Sequence, residues 1–192
     1  MAIFQTEDGF EYRDLNGNGR LDVYEDTRLP IEERVEDLLA KMTLAEKAGL
    51  MFHTIAAVNP DGSLEPPAQG FMRTPIREMV TDGLMNHFNV HGLPDPRVAA
   101  EWSNRLQALA ESTRLGIPVT LSSDRAHAFS ANPLSNLLSG GFYLWPDTRV
   151  LAAIGDEVIV EQVEDIARLE YVAHVILVAL NPIAELATEP RW

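Results

Sequence analysis

The stretch LGIPVTLSSDRAHAF, residues 115–129, constrains this chain's fold more than any other. Ile117, Val119 and Leu121 alternate in a β-branched run behind Gly116, the pattern of a short strand. The run ends in Ser122, Ser123 and Asp124, polar residues at the strand's carboxyl end. Ligands of parallel α/β architectures bind at that end, so a carboxylate there is a site candidate. The same carboxylate could equally cap the following turn.

Helical and strand patterns alternate on both sides of this stretch. Pro30 opens a helix to about Lys41, with Ile31, Val35, Leu38 and Leu39 on one face. Thr43 and Glu46 make a capping box that opens a second helix to about Met51. A strand is expected over 52–58, a Pro- and Gly-rich loop over 59–71, a short helix over 74–81 and a strand near 87–90. Asp95-Pro96 starts the longest helix, to about Ser112, with Val98, Trp102, Leu106 and Leu109 on its apolar face. Beyond the central strand, 130–142 reads as loop, and a helical pair broken near Gly155 runs from Thr148 to Ala173. The apolar run 175–179 is expected as a strand buried on both faces, and the helical apolar stripes as core. Helices alternating with short buried strands predict a parallel α/β fold.

The segment DLNGNGRLDVYE, residues 14–25, follows the EF-hand-type calcium-loop pattern. Asp14, Asn16 and Asn18 stand at loop positions one, three and five, and Gly19 at the sharp turn. Arg20 offers its carbonyl, Asp22 coordinates directly or through water, and Glu25 supplies two oxygens. Alternating hard oxygen ligands wrap a hard cation; the alternative is a polar Asn- and Gly-rich turn that needs no metal. Pro30 stops any long exit helix, so a single structural calcium loop is expected, fastening an amino-terminal arm (residues 1–30) to a domain spanning 31–192.

The net charge of −14 argues against nucleic-acid binding and against docking on anionic membranes. No apolar run approaches the ~20 residues of a membrane span. Without cysteine there is no disulfide framework, and the compartment stays open. The start MAIFQTEDGF lacks a signal peptide's basic start and apolar core. The expected setting is periplasmic or extracellular if a leader was removed, and otherwise cytoplasmic.

Four stretches together resemble glycoside hydrolase family 3, the β-glucosidases and exo-β-glucanases. They are RVEDLLAKMTLAEKAGLM (34–51), GIPVTLSSDRAHAF (116–129), WPDTRVLAAIGD (145–156) and LNPIAELATEPRW (180–192). The resemblance implies the amino-terminal portion of a (β/α)8 TIM-type barrel, incomplete in this chain. A closed barrel of this kind takes ~250 residues. It further implies a retaining enzyme acting on terminal non-reducing β-D-glucosyl residues of β-glucosides or β-glucan oligosaccharides. Asp124 would grip hydroxyls of the terminal sugar and Arg191 would donate to others, a pairing that discriminates stereochemistry. Retention needs a nucleophile and an acid/base across the scissile bond. By the resemblance both lie beyond Trp192, so no catalytic residue is expected in this chain. The missing carboxyl-terminal part, or a complementing chain, is the expected partner, and a homo-oligomer is possible. The other class of function is a non-catalytic, calcium-stabilised binding or assembly module.

His127, three residues after Asp124, is open to two roles: bonding a substrate hydroxyl or orienting Asp124. His53, His87, His91 and His174 lack metal-ligand spacing and read as packed or surface residues. Glu185 and Glu189 have no spacing that makes them catalytic partners of Asp124. Ser122 and Ser123 lack the flanking glycines of a nucleophile elbow.

Overall fold

The computed structural model describes residues 3–65, 74–91, 95–124, 127, 142–146 and 148–180. The arm contributes an antiparallel pair, β1 (Ile3–Gln5) and β2 (Glu11–Arg13), then a 3-10 turn at Val23–Glu25. Next come α1 (Ile31–Lys41), α2 (Leu44–Gly49), β3 (His53–Ala57), α3 (Ile76–Thr81) and β4 (His87–His91). α4 (Pro96–Glu111), β5 (Thr120–Ser123), α5 (Thr148–Ile154), α6 (Glu157–Ala173) and β6 (Val178–Ala179) follow. β3, β4, β5 and β6 pair in chain order, every pair parallel. A parallel sheet with intervening helices is the α/β class expected, compatible with an opening portion of a barrel.

The helix boundaries follow local chemistry. The Thr43 hydroxyl accepts from the Glu46 N–H, and the Glu46 carboxylate returns to the Thr43 N–H, closing the capping box of α2. Asp95 caps α4 with Pro96 in its first turn, and Asp156 caps α6 through Val158 and Ile159.

The core lies on one side of the sheet. Ala56, Phe88, Val90 and Leu121 pack there against Met79 and Val80 of α3, Trp102 and Leu106 of α4, and Tyr171 of α6. Phe88, Trp102 and Leu106 are fully buried, each stabilising by about 1.5–3 kcal/mol. The lead-in to β5 is held by side chains in place of a strand partner. Gln107 on α4 donates to the Val119 carbonyl (2.7 Å) and accepts from its N–H (2.9 Å), and Asn86 donates to the Ile117 carbonyl (2.9 Å). These bonds satisfy a backbone that burial would otherwise penalise.

Two expectations about apolar surface are corrected. The stripe on α1 is not core: no α1 residue is buried, and Ile31, Val35 and Leu39 are exposed. The run 175–179 is not buried on both faces. β6 is an outer strand of the four, and Leu177, Val178 and Leu180 are exposed. The apolar pattern is present in both places, amphipathic on α1 and continuous in 175–179, and the described residues place nothing over the exposed side chains.

Below the strands, Arg114 forks onto Glu46, with Nε 2.9 Å from Oε1, and donates to the Lys41 carbonyl that ends α1 (2.9 Å). The Arg114 bonds, reinforced by Thr43 and opposed by burial, hold the Glu46 carboxyl down at about 2. A depressed folded-state value gives stability that is present above the unfolded value and lost as pH falls through the folded one. Glu46→Gln is therefore expected to lower the Tm at neutral pH, with the gap to the parent closing between about pH 5 and pH 2. Thermal melts across that range check it; a gap that persists at the acid end would show that packing, not charge, is at work.

Candidate functional site

β5 ends in Ser122 and Ser123, and Asp124 follows directly. Leu121 turns into the helix-packed core, so the period of two sends Thr120, Ser122 and Asp124 to the opposite face. His53 and Ile55 of β3 and His87 and Asn89 of β4 share that face. Asp124 is half-buried there and accepts a hydrogen bond from Asn89 Nδ2 to its Oδ2, 3.0 Å. Its backbone carbonyl accepts from the Tyr171 hydroxyl of α6 at 2.6 Å. The carboxylate therefore stands at the carboxyl edge of the sheet, on the side away from the core, held from β4, while α6 holds the residue's backbone.

His127 is completely buried, its Nε2 2.9 Å from Glu170 Oε2. Its ring packs on Phe142 (4.9 Å between centroids) and edge-on to Tyr171 (5.3 Å). Glu170 also accepts from the Tyr143 N–H (3.1 Å), and the His127 carbonyl accepts from the Trp145 N–H (2.6 Å). The side chain thus lies packed against Phe142 and Tyr171 and is tied to α6 through Glu170. Arg191, Glu185 and Glu189 lie outside the described residues.

Sequence alone does not single out Asn89, Glu170 or Tyr171, and it reads His53 only as a packed or surface residue. His53 Nε2 lies 2.6 Å from Ser122 Oγ, and its ring meets His87 edge-on at 6.4 Å. Burial, with the neighbouring His53, lowers the pKa of His87. The His53–Ser122 contact is no nucleophilic dyad, because Ser122 is only 1% exposed and cannot meet a substrate. The signal for this polar face was present in the β4 segment HFNVH. There Phe88 and Val90 are apolar while the alternate positions are polar, in a strand otherwise expected to be apolar throughout.

In the loop 14–25 the oxygen-bearing side chains turn inward. Asp14 accepts from the Asn18 N–H (3.1 Å) and the Gly19 N–H (2.7 Å), and Asn18 Oδ1 accepts from the Arg20 N–H (2.8 Å). Glu25 accepts from the Leu15 N–H (2.6 Å) and the Asp22 N–H (3.0 Å). Asn16 and Asn18 both donate Nδ2 to Asp22 Oδ2, at 2.6 and 2.7 Å. Gly17 and Gly19 carry positive φ, +68° and +74°, which permits the tight winding. The donor set has the hard-oxygen chemistry of a calcium loop. Among the described residues, however, no three acidic or histidine side chains form a ready metal cage. Two amide donors occupy the inward side of Asp22, and rotation of those amides would present oxygen instead. Burial raises the pKa of Tyr24, and the nearby charges of Glu25, Asp22 and Asp14 raise it further, an effect a cation would relieve.

The loop is fastened to the foot of β5. The Tyr24 hydroxyl donates to the Leu115 carbonyl (3.3 Å), and the Leu15 backbone presses on Gly116.

No protein-family model matches the sequence, but curated proteins do. A periplasmic beta-glucosidase/beta-xylosidase of Dickeya chrysanthemi is 45% identical over 188 residues, which is 97% of this chain and 28% of that protein. A probable beta-glucosidase C of Aspergillus oryzae is 41% identical over 177 residues, 91% of this chain and 27% of its own length. Beta-glucosidase C of Emericella nidulans is 38% identical over 193 residues, 100% of this chain and 29% of its own length. The chain spans a little over a quarter of the curated relatives it matches. With identity of this order along nearly the whole chain, on a parallel α/β scaffold, the chain belongs to the family of these relatives, glycoside hydrolase family 3.

Proposed function

We propose that this chain forms the opening portion of the catalytic barrel of a retaining β-glucosidase or exo-glucanase. It binds the terminal non-reducing glucosyl unit, while the nucleophile and the acid/base belong to the rest of the barrel. The observation that carries this is Asp124, half-buried at the carboxyl end of an inner parallel strand on the face away from the core. A carboxylate steadied by Asn89, on a backbone whose carbonyl accepts from the Tyr171 hydroxyl, can accept from two adjacent sugar hydroxyls without reorganising. Arg191 would donate to further hydroxyls, and His127 would anchor its own backbone to α6 through Glu170. The exposed α1 stripe and the exposed β6 are then surfaces for the remainder of the barrel, or for a complementing chain. The periplasmic relative supports an extracytoplasmic setting. The pure 192-residue chain is expected to leave a nitrophenyl β-glucoside intact. Genuine turnover, followed as nitrophenolate release, would overturn this division of roles.

The second reading, a non-catalytic assembly module, draws on the same exposed apolar surfaces. Association of the chain with a protein other than a glycosidase carboxyl-terminal part would favour it.

Calcium in the loop 14–25 belongs to the same proposal: Asp14, Asn16, Asn18, Asp22, Glu25 and the Arg20 carbonyl would hold the ion, and the ion would stiffen the arm against β5. Ligand linkage predicts a Tm that rises with calcium and falls on chelation. Asp14→Ala is expected to remove that dependence, since it deletes the first ligand. A melting temperature indifferent to chelator would dismiss the metal.

A further inference from the structure

We propose, resting on the glycone role given above to Asp124, that Asn89 is a positioning residue for that carboxylate and is itself oriented by a hydrogen-bond relay from His53 through Ser122. The relay crosses three adjacent strands on one face: His53 on β3, Asn89 on β4, Ser122 on β5. His53 Nε2 is 2.6 Å from Ser122 Oγ, Ser122 Oγ is 3.3 Å from Asn89 Oδ1, and Asn89 Nδ2 is 3.0 Å from Asp124 Oδ2.

The direction of the relay follows from proton counting. Ser122 has a single hydroxyl proton. When that proton goes to Asn89 Oδ1, His53 must donate from Nε2, which sets its tautomer. The Asn89 carbonyl then faces a donor, and its amide NH2 faces the carboxylate. A flipped amide would set its oxygen against the Asp124 carboxylate, so the carboxylate selects the orientation that leaves Oδ1 facing the Ser122 hydroxyl. With the Ser122 proton on Asn89 Oδ1 (3.3 Å) and not on the Phe88 carbonyl (3.4 Å), every donor points toward Asp124, and successive bonds polarise one another.

Asn89 is only 8% exposed, so it acts through Asp124 and not by touching the sugar. A bidentate grip on two neighbouring hydroxyls needs the plane of the carboxylate fixed, because small misplacements of a binding group carry large rate penalties. The charge-assisted bond from Nδ2 supplies that constraint.

Two measurements test this. In the ligand-free chain, the side-chain amide resonances of Asn89 are followed by proton–nitrogen correlation spectra. Asp124→Asn and Ser122→Ala are each expected to move them, through loss of the charged acceptor and of the steering hydroxyl respectively. The second is a double-mutant cycle on kcat/KM for a nitrophenyl β-glucoside, run at the protein's full natural length. Asn89→Ala is expected to lower kcat/KM about tenfold, the scale of one charge-assisted bond, and to have little further effect in the Asp124→Asn background. Should Asn89→Ala fail to fold, Ser122→Ala takes its place in the cycle.

Equal effects in both backgrounds, or an Asn89 amide that ignores Asp124→Asn, would overturn the positioning role alone. Unchanged kcat/KM in Asp124→Asn would instead overturn the glycone role of Asp124, and with it the functional meaning of the relay. The amide spectra would then still report whether the hydrogen bond exists.

Discussion

Asp124→Asn is expected to lower kcat/KM for a nitrophenyl β-glucoside by about 10²–10⁴-fold, measured at the protein's full natural length. The substitution keeps the size of the side chain but removes its charge and turns one acceptor into a donor. Two hydroxyl bonds to a carboxylate, each worth about 1.5–3 kcal/mol when charge-assisted, account for the range. The fold is expected to survive, because the carboxylate is half-buried and the Tyr171 bond goes to the backbone carbonyl, which the substitution spares. Hydrolysis kinetics, with a thermal melt to confirm folding, provide the check. A variant with parental kcat/KM would remove Asp124 from the sugar site.

The second large effect is at Gly116. Its φ is +56°, and a Cβ there would stand 2.2 Å from the Leu15 carbonyl oxygen and 2.8 Å from its carbon, both rigid backbone. Gly116→Ala therefore combines left-handed backbone strain with a collision that pushes the calcium-type loop off the foot of β5, straining the Tyr24–Leu115 bond. A destabilisation of about 3–5 kcal/mol is expected, read from urea unfolding midpoints. Gly9 is the control: its φ is +85°, but a Cβ there meets nothing within 4 Å. Gly9→Ala should cost about 1–2 kcal/mol, the strain alone. Equal losses at the two positions would mean that contact between arm and β5 contributes nothing.

These two substitutions sit at opposite ends of β5, and they mark different kinds of legibility. Asp124 is visible in sequence because a polar triplet closes an alternating apolar run, and strand ends are where parallel sheets bind ligands. Gly116 is visible only as a residue before a strand. Its constraint comes from Leu15, a contact a hundred positions away that no local pattern records.

By itself the sequence determined the order and type of the elements from α1 to β6, though not the antiparallel pair β1–β2. Caps such as Thr43–Glu46 and Asp95-Pro96, and the periods of apolar residues, are local interactions that act before the chain folds. The spacing of oxygen side chains in residues 14–25 is equally local. Only the tertiary structure decided which polar residues meet. His53 and Ser122 touch across 69 residues of chain, and Asn89 and Asp124 across 35. Both pairings depend on strand register, which sends every second side chain to a common face. It also decided that the α1 stripe and β6 stand exposed, because burial depends on what else packs nearby, and the period of a sequence cannot report that.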